Sequence, residues 1–201
     1  MIKISNRNLS AVIQKQLKNS KKLQSNVRVL VEKQFKIAHE KLMSDFDRHA
    51  ITRELSAGAG GDNFTGTLRE GNLFGFIGFD KTDDPIGALR SALAQANILI
   101  HKRAARAPAS YVYRVNIPTK EELYKITPLP WAKGASWLHQ LEERGISNLG
   151  QYAFRESTSS RSGAGIQTKL EGGGRLKLSY LNPILKEFER SLNQIRGHIG
   201  I

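Results

Sequence analysis

The chain has 201 residues, of which 39% are hydrophobic, with no cysteine and a formal net charge of +13. That length accommodates one respectable core, and the lack of cysteine excludes a disulfide framework, a thiolate metal site and a cysteine nucleophile, in keeping with a reducing cytosol. No run approaches the ~18 apolar residues that span a bilayer, and Lys15, Lys18, Lys21 and Lys22 interrupt the region where a signal peptide carries its apolar core, so a soluble chain without an export signal is expected.

The 31 Lys and Arg residues against 18 Asp and Glu create a field that draws in polyanions in a salt-dependent way. Lys3, Arg7, Lys15, Lys18, Lys21, Lys22 and Arg28 all precede the first acid, Glu32. Residues 1–24 therefore read as a basic N-terminal arm suited to DNA or to an acidic neighbouring subunit, with a merely solvated face as the alternative. Residues 25–201 read as a single α+β domain.

From Val27 to Ala50, the apolar positions Val27, Val31, Phe35, Ala38, Leu42, Phe46 and Ala50 recur every three or four residues, which places them on one helical face. The predicted cap is Ser25 or Asn26, and Ala57-Gly58-Ala59-Gly60-Gly61-Asp62 should end the helix by Gly58. This loop lacks the Walker Lys-Ser/Thr and follows a helix instead of opening one, so it reads as a turn.

Leu73 to Phe79, Leu-Phe-Gly-Phe-Ile-Gly-Phe, is rich enough in aromatic and branched residues to predict a strand, with Gly75 and Gly78 allowing close backbone approach. Pro85 then opens a helix expected from about Ile86 to Ala105, whose basic tail, His101 to Arg106, would sit at the negative end of the helix dipole. Tyr111 to Ile117 alternates as a half-buried strand, and Thr119-x-x-Glu122 has capping-box spacing. Ser136 to Arg144 is a short amphipathic helix stopped at Gly145. The Ser- and Gly-rich segment at about 157–165 reads as an arm. Ile166–Leu170 and Arg175–Tyr180 read as a hairpin around Glu171-Gly172-Gly173-Gly174, and a last helix begins at Asn182-Pro183. The sum is an antiparallel sheet packed by helices, with a long N-terminal and a C-terminal helix, an α+β class.

The five histidines have no metal-ligand spacing. Glu142 and Glu143, neighbours on a helix, point in different directions and read as charged helix surface. No serine stands in a G-x-S-x-G elbow. The pattern argues for no enzyme, no cofactor and no metal. The signatures of sequence-specific nucleic-acid modules are absent too, while nonspecific contact with DNA stays open.

The order of elements carries a resemblance. Thr65, Gly66, Leu68 and Arg69, then Trp137, Leu141, Glu142 and Gly145, then Pro183, Ile184 and Leu185, following a leading helix, are similar to the tail-completion, or neck, proteins of long-tailed bacteriophages. Gly71-Asn72-Leu73-Phe74-x-Phe76-Ile77-Gly78-Phe79 and Ser160-Arg161-Ser162-Gly163-x-Gly165-Ile166-Gln167 resemble a virion protein encoded near the neck and tail genes of contractile-tailed phages. The chain exceeds compact members of that group in the region from Pro85 to Pro130 and in the Ser/Gly-rich arm, which leaves its place among the neck rings open.

The resemblance implies a non-catalytic virion protein made in the host cytoplasm. It would form a homo-oligomeric ring, sixfold or twelvefold, between the head connector and the tail tube, with DNA passing through the lumen and no membrane contact. Such a ring needs heterologous interfaces. The candidate interface or DNA-contact residues are Lys15, Lys18, Lys21, Lys22, Phe74, Phe76, Arg161 and Lys169. The alternative reading is a basic DNA- or RNA-binding accessory protein.

Overall fold

Ser20 marks the start of the first helix: its hydroxyl accepts from the Leu23 amide at 3.4 Å, satisfying one of the donors that a first turn leaves open. The resulting helix α1 spans Lys21–Arg48. It begins earlier than the Ser25 or Asn26 cap expected from sequence, because the Lys-Lys-Leu-Gln stretch is built of good helix formers behind a serine. The computed structural model describes residues 20–68, 71–101, 112–130, 132–147 and 175–199. Lys21 to Gln24, expected in the arm, are the first turn of α1.

The class is mixed α+β, with a long N-terminal and a long C-terminal helix, and among the described residues the strands form three separate two-stranded antiparallel ladders. Contacts divide the chain into two units: Met1–Lys41 with Ala96–Ile117 and Phe188–Ile201, and Leu42–Gln95 with Pro118–Glu187.

In the first unit, Val31, Phe35 and Ala38 of α1 are buried. The Phe35 ring meets Phe188 edge-on at 6.2 Å between centroids and stacks on His39 at 5.8 Å. Strand β1 (Asn97–His101) pairs antiparallel with β2 (Val112–Asn116), with Asn97 opposite Asn116 and His101 opposite Val112. Tyr113, Val115 and Ile117 are half-buried while Arg114 and Asn116 are exposed, the alternation that the sequence predicts for this strand. The preceding segment departs from expectation. Helix α4 covers only Gly87–Ala94, and the β-branched Asn97-Ile-Leu-Ile-His run joins a ladder where the sequence pattern extends the helix to Ala105. Branched side chains lose less freedom in a strand than in a helix, and here a partner strand is available. The dipole explanation for the basic cluster from His101 therefore falls: His101 is in β1, and residues 102–106 lie outside the described residues.

In the second unit α1 ends at Arg48 and the chain restarts at once. His49, extended at φ −61° and ψ 136°, caps α2 (Ala50–Ser56) by accepting the Ile51 amide on Nδ1 at 3.2 Å. Gly58, at φ +70°, follows the helix end where the sequence places a stop.

The Phe/Gly run from Leu73 to Phe79 is not a strand. It contains the short helix α3, Leu73–Ile77. Two local devices override the strand preference of its aromatics. Asn72 Oδ1 accepts from the Gly75 amide at 3.0 Å while its Nδ2 donates to the carbonyls of Gly58 and Gly61 at 2.8 and 2.9 Å. At the other end Gly78 takes φ +90°, and its N–H reaches the carbonyls of Phe74 and Gly75. Four side chains of this helix, Leu73, Phe74, Phe76 and Ile77, are buried. Asp84 opens α4 as expected of an acid at a helix start, Oδ1 accepting from Ile86 and Gly87 at 3.2 and 2.8 Å.

The Thr119 capping box is present: Thr119 and Glu122 satisfy each other's amides at the start of α5 (Lys120–Lys125). Strands β3 (Pro128–Leu129) and β4 (Ala132–Ser136) pair and lead into α6 (Trp137–His139), which widens into a π turn over Gln140–Arg144 and stops at Gly145, φ +76°. Strand β6 (Arg175–Leu176) pairs with β5 (Ile146–Ser147); the expected partner strand at 166–170 lies outside the described residues. Residues after Leu176 leave the ladder because the Leu178 amide donates to the Leu141 carbonyl at 2.9 Å. The last helix, α7, spans Leu181–Ile199.

Candidate interaction surface

The buried carboxylates among the described residues, Glu54 and Glu142, act on backbone. Glu54, 0% exposed, accepts the Thr65 amide on Oε2 at 2.7 Å and the Leu73 amide on Oε1 at 2.6 Å, fixing the Thr65-Gly66 turn and the start of α3 at once. Phe64, beside that turn, lies under the Arg53 guanidinium, 4.0 Å from ring centroid to carbon.

Glu142 corrects its sequence reading as charged helix surface. It is buried, and Oε1 accepts from the amides of Tyr180 and Asn182 at 3.1 and 2.9 Å. It follows Leu138 at i,i+4, next to the buried side chains of Trp137, Leu138 and Leu141. A carboxylate thus caps α7, where Asn182 is expected to do so, and it sits at the positive end of that helix dipole. Burial pushes the Glu142 carboxyl up from the usual range, opposed by the amides of Asn182, Tyr180 and Leu181 and by the Lys120 charge. Its neighbour Glu143 is held below that range by Lys120, whose Nζ is 3.6 Å away.

Around this anchor the aromatic side chains are packed. Tyr180 is fully buried; its hydroxyl shares a 2.7 Å hydrogen bond with Thr52, and its ring contacts Phe46, His49 and Trp137. Burial raises its phenol and lowers the His49 imidazole. The Tyr124 phenol, against His139 at 4.8 Å, is pushed up to about 12 by burial and then by Glu142, Glu143 and Glu121. Thr127 and Ser136 share a 2.7 Å hydroxyl contact in the same region. These polar groups hold the fold together.

The surface is more informative on α1. The buried stripe of the first unit is Val31, Phe35 and Ala38, yet Val29, Leu30 and Ile37 are 61%, 45% and 52% exposed. At about 100° per residue these three fall within one arc of roughly 100°, centred some 150° away from the buried stripe. The three form a second, exposed aliphatic cluster on the helix. Lys22, Lys33 and Glu40 share its arc and Lys36 and Lys41 border it, with Lys36 Nζ 3.8 Å from Glu40 Oε1. The sequence reading identifies only the buried stripe; Leu30 and Ile37 at i,i+7, with Val29 two turns before Ile37, is the signal for the exposed cluster.

The sequence-predicted contact residues separate into three groups. Lys21 and Lys22 are exposed on the first turn of α1. Phe74 and Phe76, expected on a strand and as contact candidates, are 1% and 7% exposed in α3; they are core side chains, with Phe74 against Phe79 at 5.3 Å. Lys15, Lys18, Arg161 and Lys169 lie outside the described residues, as do Arg69 of the Thr65-Gly66-x-Leu68 motif and the 157–165 segment. Among the described residues there is no group of three or more His, Asp or Glu side chains that could hold a metal ion, and no helix long and apolar enough to cross a membrane.

No protein-family model, curated protein or solved structure matches this chain.

Proposed function

We propose that this chain is a structural subunit that works by assembly, forming a ring at the neck of a long-tailed bacteriophage. The observation that carries the assembly reading is the exposed aliphatic cluster of α1. An exposed patch of large aliphatic side chains on a folded element is what a protein–protein contact covers. The resemblance of the Thr65, Trp137 and Pro183 motifs to neck proteins supplies the place. A ring grows when one patch of a subunit meets a different patch of the next until the rotation closes, and sixfold or twelvefold closure fits a passage for DNA.

The two buried carboxylates support a non-catalytic role, because Glu54 and Glu142 already accept backbone amides that fix a turn and a helix start. A second reading, a nucleic-acid-binding accessory protein, is favoured by the net charge of +13, since cations without matching acids bind phosphate by releasing counterions.

Electron microscopy of the purified protein, alone and mixed with virion extracts, tests the proposal. Closed rings or density at a head-to-tail junction are expected. A monomer at all concentrations that leaves virion particles undecorated would remove the ring.

A further inference from the structure

We draw no further inference here: the strongest candidate, the surface patch of α1 where the exposed Val29, Leu30 and Ile37 share an arc with Lys22, Lys33 and Glu40, is interrupted by those charges, and nothing in the structure shows what covers it.

Discussion

Glu142 shows how one residue can join two distant parts of a chain. Its oxygen receives amides from Tyr180 and Asn182, about forty positions away in sequence, so the start of α7 depends on a side chain from the π turn. Removing the acceptor leaves the buried Tyr180 amide and the half-buried Asn182 amide without it, at about 1–3 kcal/mol for a fully buried donor. Glu142→Ala should therefore lower unfolding free energy by about 2–4 kcal/mol in urea denaturation. Glu142→Gln keeps a carbonyl oxygen at the same reach. Burial works against the charge of the Glu142 carboxyl, and the neutral amide, which accepts the same two hydrogen bonds, should retain most of the stability. A Gln variant as damaged as the Ala variant would show that charge at the α7 dipole, not hydrogen-bond acceptance, is what matters there.

At the scale of elements, the junction of α1 and α2 has a built-in pH response. His49 caps α2 through a neutral Nδ1 acceptor and is packed against Tyr180 at 5.0 Å. Its pKa is lowered by burial from the ordinary imidazole value of 6.5, so the unfolded chain binds the proton more readily than the folded one. The cap's contribution is complete above about 6.5 and is lost as pH falls from there through the lowered folded value. Urea denaturation between pH 7 and pH 5 should show falling stability in the wild type and a flatter profile in His49→Asn, which caps without titrating. Parallel slopes for the two proteins would take His49 out of the pH response.

The elements also show which signals a sequence carries. The buried side of α1, the Thr119 capping box and the strand at Val112–Asn116 were legible because period and cap agree with the tertiary contacts. Leu73–Ile77 was misread because the aromatics favour a strand while Asn72 and Gly78, whose roles depend on the carbonyls of Gly58, Gly61, Phe74 and Gly75, close a helix. Ile98 and Val115 meet only through the ladder, a nonlocal pairing invisible in a window of neighbouring residues. Of the candidate site, the basic residues at Lys21 and Lys22 were legible as exposed charge. The exposed aliphatic cluster of α1 was hidden beneath the stronger period of the buried face, and Glu142 looked like surface because the amides of Tyr180 and Asn182 that hold it inside lie about forty positions away in sequence.

For the whole molecule, the question is whether the excess positive charge serves DNA or a protein neighbour, and the two have different salt laws. Seven cations, Lys3, Arg7, Lys15, Lys18, Lys21, Lys22 and Arg28, precede the first acid. Were all seven to contact phosphates, the logarithm of duplex affinity would fall against the logarithm of salt with a slope of about −6. Replacing Lys15, Lys18, Lys21 and Lys22 by glutamate should then reduce that slope by about 4, as four phosphate contacts are lost. An acidic protein partner holds no condensed counterion atmosphere of that kind, and its complex should respond to salt through screening over a Debye length of about 10 Å at 0.1 M. Duplex affinity measured by anisotropy from low to moderate salt separates the cases. A steep slope that the four substitutions flatten would give the N-terminal charge to DNA. A shallow slope shared by wild type and variant would assign it to the neighbouring subunit, and loss of ring assembly in the same variant would then identify the charge as part of the interface.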